Sequence, residues 1–424
     1  MKGEEVLAGA IRTSADRTYT VPGYPITGLA KILSAELVVN EKVALEYALG
    51  ESLMGRRSAV VVKNVGLNAC ADPLVNATTQ GLRAGVVVVA GDDIEAQGSQ
   101  NVQDSRYYGE LAQAPVLEPD RTTCAAAVEE AFRASEQFSR VALLRVTPPV
   151  LEGECEPGVV ERRDLTGSLA DPDLTMRGRA MAADRRTREL FRWSRENPLN
   201  RIGRGTGVSV GGAGHGENRV ITVYPPPVHP ALLSGITELG RPFLREHRSL
   251  EPPPDPGEPE RFSGRGHYRT FCPTCPFKEV VAILRQRGLR AVCDMGCSVL
   301  AMNPSFQVGV AAYGLGSSVA VAARSTGIAL CGDYALLHSG LNALVDVYEK
   351  QLTLLCIVLS NRRLGMTGGQ PGYDPVRYLS WANPVVIPAD DPDLSRVLEP
   401  GEGPKTVIVE VICPEGESYE RVAC

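Results

Sequence analysis

The sequence predicts an α/β protein built from two parallel-sheet domains. Three observations carry this expectation. Short apolar runs rich in Val, Ala and Leu alternate with longer helical stretches towards both ends of the chain. The 424 residues exceed what one ordinary core holds, and a run with five prolines in ten positions, Glu251 to Glu260, divides them. Glycine is abundant at 43 residues while aromatic residues make up only 5%, which suits sheets and helices packed closely through small side chains.

The first domain is expected over residues 1–150. Its strand candidates are Ser58 to Val62, Gly85 to Ala90 and Val141 to Val146. Glu41 to Met54 and Cys124 to Gln137 read as helices, because Ala, Leu and Glu dominate and no proline interrupts. Over 151–247 the character changes. Met176 to Asn197 is basic and helical, and the Gly-rich run Gly203 to Gly216 neither opens a helix nor has GxGxxG order, so it is no dinucleotide fingerprint. No fold is assigned to this middle segment. A Pro-rich linker is placed at 248–267 and a second α/β domain at 268–424, with strand candidates Ala291 to Cys293, Gly327 to Cys331, Leu352 to Leu359 and Thr406 to Cys413.

Composition narrows the function. The net charge of −6 is a poor footprint for binding phosphate backbones, so nucleic acid is not an expected partner. No apolar run approaches the roughly 18 residues of a membrane span, and the start, Met-Lys-Gly-Glu-Glu, is unlike a signal peptide. A cytoplasmic protein is expected. Eleven cysteines are spread along the chain, several inside apolar runs (Cys331, Cys356), which argues against a disulfide framework.

Two strand ends carry the most informative chemistry. The apolar run before Gly332-Asp333 and the one before Asn361 each end in a polar group, where ligands of open α/β sheets bind. A carboxylate, an amide oxygen and a backbone carbonyl such as that of Arg363 form a hard oxygen set suited to Mg²⁺, which would hold a diphosphate. Taken singly, each is also an ordinary turn residue. The following loop, Arg363 to Pro371, contains Thr367, Gly368 and Gly369 and reads as a phosphate cradle or a flexible surface loop.

Three cysteines form a second constellation: Cys272-Pro-Thr-Cys275, then Cys297 in Met295-Gly296-Cys297. Thiolates at this spacing suit Zn²⁺ or an iron–sulfur cluster. The fourth ligand is expected to be Cys413, with Cys293 and Cys424 as alternatives. In the first domain, Asn40-Glu41-Lys42-Val43 opens a helix and satisfies a cap without requiring function. The polar stretch Ser99 to Arg106 follows a strand.

These residues together resemble the α subunit of indolepyruvate ferredoxin oxidoreductase, in the thiamine-diphosphate-dependent 2-oxoacid:ferredoxin oxidoreductase family. The matching stretches are Gly23 to Thr27, Asn40 to Leu45, Lys63 to Asn68, Ala71 to Leu74 and Ser99 to Arg106 in the first domain. In the last they are Cys272 to Pro276, Met295 to Cys297, Gly332-Asp333, His338 to Gly340 and Asn361 to Pro371. The resemblance implies a pyrimidine-binding and a diphosphate-binding domain joined by a reduced middle segment. It implies thiamine diphosphate with Mg²⁺ held by Asp333, Asn361 and the Arg363 carbonyl, with Gly332, Thr367, Gly368 and Gly369 nearby. It further implies that Glu41 contacts the aminopyrimidine, that Thr27 lies near substrate, that His338 serves proton transfer, and that Cys272, Cys275, Cys297 and Cys413 hold a [4Fe–4S] cluster. The sequence stops where the family's ferredoxin-like extension would begin and contains no CxxCxxCxxxC run, so one cluster at most is expected.

The expected reaction is oxidative decarboxylation of a 2-oxoacid, arylpyruvate-like by resemblance. Electrons would pass to a redox subunit or ferredoxin, with coenzyme A admitted as a co-substrate. Because Glu41 and Asp333 fall in separate domains, a dimer or heteromeric complex is expected. The rival readings are a non-oxidative thiamine-diphosphate decarboxylase or synthase with structural zinc, and a catalytically silent paralogue serving assembly of a redox complex.

Overall fold

The computed structural model describes residues 1–199, 201–202, 209–210, 219–221, 223–224, 254–263, 267–414 and 420–423. The chain divides into two compact units, Met1–Leu169 with Ala180–Glu258, and Ala170–Arg179 with Pro259–Cys424.

The first unit is organised around the apolar runs. Val86–Gly91 (VVVVAG) is buried throughout, as a central strand covered on both faces must be. It pairs in parallel with Ser58–Lys63 on one side and Ala142–Val146 on the other. Arg17–Val21 and Glu36–Leu37 extend the sheet in parallel beyond Ser58–Lys63, Val116–Leu117 adds to the far side, and Val223–Tyr224 closes that edge antiparallel. One face is covered by the helices Gly3–Ser14 and Cys124–Phe138, whose Leu7, Ile11, Val128 and Phe132 pack on Val61, Val87 and Val89. The helix Glu41–Leu53 is buried over almost its whole length; its Tyr47 ring lies 5.7 Å from that of Tyr19. Burial on all sides explains why this helix has no polar face to present.

The second unit holds a five-stranded parallel sheet in the order Val292–Cys293, Ile328–Gly332, Leu354–Ser360, Pro404–Glu410, Val385–Pro388. The central strands Ile328–Gly332 and Leu354–Ser360 run in register from Ile328 opposite Leu355 to Gly332 opposite Leu359. Their carboxyl ends therefore lie side by side, which brings Asp333 next to Asn361. Val280, Leu284, Leu330, Ile357, Val407 and Val409 form the core between the sheet and the helix Phe277–Gln286.

The sequence boundaries at 150, 247 and 267 do not coincide with these units. Residues 151–169 and 180–199 belong with the first unit, whereas Ala170–Arg179 belongs with the second. The reason is nonlocal pairing: Asp173 carbonyl accepts from Phe262 N–H at 2.7 Å, and Glu260 carbonyl accepts from Thr175 N–H at 3.2 Å. A Cβ on Gly178 would stand 1.9 Å from the Glu260 carbonyl oxygen, so the two segments touch backbone to backbone. The end of the expected linker is thus packed against another segment, not a bare spacer. The basic helix is present as Met176–Glu196. Apart from Ser209–Val210, the Gly203 to Gly216 run lies outside the described residues. Among the described residues no helix is long and apolar enough to cross a membrane.

Candidate active site

Asp333 follows the strand Ile328–Gly332 directly and is almost wholly buried. Its carboxylate accepts from Tyr334 N–H at 2.7 Å, Arg362 N–H at 2.7 Å and the Ser360 hydroxyl at 3.3 Å. Burial pushes this carboxyl up from its ordinary value while those donors, with the backbone of Asn361, pull it back. Among the described residues no ion pair of Asp333 with Lys or Arg is present. A buried carboxylate served only by neutral donors is a position a divalent cation would complete.

Asn361 stands beside it, with its Oδ1 accepting from Arg363 N–H at 3.2 Å. The Arg363 carbonyl accepts from Gly365 N–H at 3.0 Å and keeps a second lone pair. A Cβ placed on Gly332 would meet nothing within 4 Å, so the space above the strand end is open. Asp333, Asn361 and the Arg363 carbonyl are hard oxygen donors of the kind Mg²⁺ takes.

The loop after Asn361 is less of a cradle than its glycines suggest. Leu364 N–H donates to the Gln370 carbonyl, Thr367 and Gly369 N–H donate to the Leu364 carbonyl, and Gly372 N–H donates to the Arg362 carbonyl. The loop closes on itself and spends these donors internally. Gly368 and Gly369 serve the turn, with φ of 118° and 73°.

The thiols converge on the other side of Asn361. Cys272, Cys275, Cys297 and Cys413 line one cavity of about 200 Å³ together with Phe271, Phe277, Asn361 and Met366. Asn361 Nδ2 donates to Cys413 Sγ at 3.0 Å. Burial pushes the Cys275 thiol up to about 11 and the Cys297 thiol up to about 12, and in both cases the neighbouring thiols of the group add to the effect. A cationic centre bound among such thiols would favour their ionised form and reverse that balance. Among the described residues no group of three His, Cys, Asp or Glu side chains is close enough to hold a metal ion. Of the alternative fourth thiols, Cys293 is fully buried and faces Gly309, whose Cβ would stand 2.5 Å from its sulfur, and Cys424 lies outside the described residues.

Sequence reasoning missed Asp294. It is fully buried and accepts from Gly316 N–H at 2.8 Å, from the Ser318 hydroxyl at 2.9 Å and from Ser318 N–H at 3.2 Å, fixing the turn that precedes the helix Ser318–Ala323. The signal was present: Cys293-Asp294 ends a strand just as Gly332-Asp333 does. His338 is exposed in the π-helical turn Leu336–Gly340, its Nδ1 3.2 Å from Ser339 Oγ.

In the first unit, Asn40 caps the helix by accepting from Val43 N–H at 2.9 Å, which places Glu41 in its first turn. A Cβ on Gly66 would stand 2.4 Å from Glu41 Oε1 and 2.8 Å from its Cγ, so the Glu41 side chain is seated against bare backbone. Thr27 opens the helix Thr27–Leu33 and is exposed.

Residues 293–399 match the thiamine pyrophosphate enzyme, C-terminal TPP-binding domain. The whole-chain fold is similar to a thiamine diphosphate-dependent 4-hydroxybenzoylformate decarboxylase of Rhodococcus jostii RHA1, at TM-score 0.57 and 14% identity over 98% of this chain and 100% of that one. It is similarly close to a thiamin diphosphate-dependent enzyme of Mycobacterium smegmatis, at TM-score 0.58 and 14% identity with the same coverage. The fold, two parallel-sheet α/β units, is thus shared with thiamine-diphosphate-dependent enzymes, and residues 293–399 carry the match to a TPP-binding domain. The chain is also similar to indolepyruvate oxidoreductase subunit IorA. It is 26% identical to the IorA of Methanothermobacter thermautotrophicus and 25% identical to that of Archaeoglobus fulgidus, in each case over 87% of this chain and 75% of the relative. The IorA of Thermococcus kodakarensis is 34% identical over 34% of this chain and 24% of its own length.

Proposed function

We propose that this chain oxidatively decarboxylates a 2-oxoacid, arylpyruvate-like, and passes the electrons through a thiolate-held [4Fe–4S] centre to a redox subunit or ferredoxin. The observation that carries the reading is the cavity in which four cysteines from three separate stretches of chain meet Asn361. Bound thiamine diphosphate supplies a nucleophilic thiazolium carbon and an electron sink for decarboxylation. Asp333, Asn361 and the Arg363 carbonyl would hold Mg²⁺ on its diphosphate. Glu41 would hold a proton at the aminopyrimidine ring nitrogen, Thr27 would orient the substrate, and exposed His338 could exchange a proton with it. Cys272, Cys275, Cys297 and Cys413 would be the four ligands of the cluster. The substrate class follows from the relatives' name, and coenzyme A is the acyl acceptor to test first. The working form is proposed to be a dimer or heteromeric complex.

Calorimetry with Mg²⁺ and thiamine diphosphate tests the reading. The unmodified chain should bind the cofactor and Asp333→Ala should not, and an arylpyruvate should then reduce a low-potential dye. Failure of the unmodified protein to bind would leave the silent-subunit reading in its place. Binding with release of carbon dioxide but no dye reduction would favour a non-oxidative decarboxylase.

A further inference from the structure

We propose that Asn361 joins the two halves of the site, its oxygen serving the divalent cation while its amide N–H tunes the cluster thiolate of Cys413. This rests on the reading that the four cysteines hold an iron–sulfur centre. One side chain faces both ways. Nδ2 donates to Cys413 Sγ at 3.0 Å, and Oδ1 lies on the side of the Arg363 backbone, which supplies the third oxygen of the Mg²⁺ edge. The neighbouring backbone is near as well. A Cβ on Gly365 would be 3.6 Å from Asn361 Nδ2 and 3.8 Å from Cys297 Sγ, so the loop after Asn361 passes along the thiols.

The physical consequence is a shift in potential. One-electron reduction places negative charge on the cluster and its thiolates, and a hydrogen bond to a ligand sulfur stabilises the reduced form. Asn361 is accordingly a positioning residue that raises the potential of the centre nearest the cofactor. Cation binding at Oδ1 withdraws electron density from the amide and strengthens the N–H···S bond, so the centre should become easier to reduce when Mg²⁺ and thiamine diphosphate are bound.

The test is a potentiometric titration followed by electron paramagnetic resonance, on full-length protein purified without oxygen. Asn361→Ser keeps an oxygen but cannot reach Cys413. Its reduced-to-oxidised ratio at a fixed potential should fall about tenfold, which for a one-electron couple is 59 mV. Asn361→Asp should fall further, because it also adds a negative charge. The unmodified protein made with isotope-labelled asparagine should show a hyperfine coupling from an asparagine N–H to the cluster, which decides the matter even where a variant loses its iron. Unmoved potentials in both iron-containing variants, or no asparagine coupling in the iron-replete native protein, would overturn the inference alone. Native protein with neither iron nor labile sulfide would overturn it together with the reading it rests on.

Discussion

Several deeply buried carboxylates meet different partners in the two units. In the first, Arg57 meets Glu129 at 3.0 Å and Glu136 at 2.6 Å, and Arg145 meets both Asp92 and Glu118, all deep in the fold, while Asp93 is held by the backbone N–H groups of Gln97, Gly98 and Ser99. In the second, Asp294 and Asp333 are equally buried, yet the bonds described for them come only from backbone N–H and hydroxyl donors. Burial raises both carboxyls above their ordinary value. Guanidiniums fix the first network, whereas the bonds described for Asp333 come from neutral donors, a setting that a bound cation would complete.

This contrast can be broken at several points. The largest effect is expected from Arg57→Ala, which leaves two buried carboxylates unpaired and should destabilise the first unit by about 4 kcal/mol in denaturant unfolding. A loss below about 1 kcal/mol would mean that the network is not what balances that core. Asp294→Ala leaves the Gly316 N–H and the Ser318 hydroxyl without their acceptor and should cost about 3 kcal/mol by the same assay. Gly66→Ala should cost only about 1 kcal/mol, because the Glu41 side chain can swing aside, yet it should weaken turnover far more than that loss implies. Equal losses of stability and turnover would separate Glu41 from the chemistry.

The smallest effect concerns pH, and its sign differs between Asp16 and Asp294. Asp16, in the first, is held below its ordinary value chiefly by the hydrogen bond from Arg162, so its contribution is present above the ordinary aspartate range and is lost as pH falls through the lowered value. Both side chains are about a third exposed, and Asp16→Asn should remove no more than about 0.5 kcal/mol, flattening the acid limb of a stability profile. Asp294 is raised, so its native state binds a proton more tightly than the unfolded chain. Its contribution is therefore present at low pH and declines as pH rises through the raised value. Asp294→Asn should remove that decline. A decline unchanged in the variant would assign it to another group.

Much of this was legible in the sequence, for identifiable reasons. The runs at Ser58, Val86, Ile328 and Leu354 announce buried strands because a parallel sheet covered on both faces needs continuous apolar side chains. Asp333 and Asn361 were readable because they stand directly after such runs. Arg17–Val21 escaped because RTYTV lacks the continuous apolar run of the other strands and is placed in the sheet by its pairing with Ser58–Lys63. The transfer of Ala170–Arg179 to the second unit escaped because its partner, Glu260 to Phe262, lies more than eighty residues away. The bond from Asn361 to Cys413 spans 52 residues and depends on two strand ends arriving together, which no local pattern encodes. The loop from Arg363 to Pro371, read from its glycines as either an anion cradle or a surface loop, bonds several of its N–H groups to its own carbonyls.

The central claim is that the second unit is completed by metal centres. Iron and acid-labile sulfide, measured per chain on protein produced and purified without oxygen, address it most directly. The account predicts about four of each per chain, both lost in Cys275→Ser. Stoichiometric zinc with no labile sulfide would contradict it.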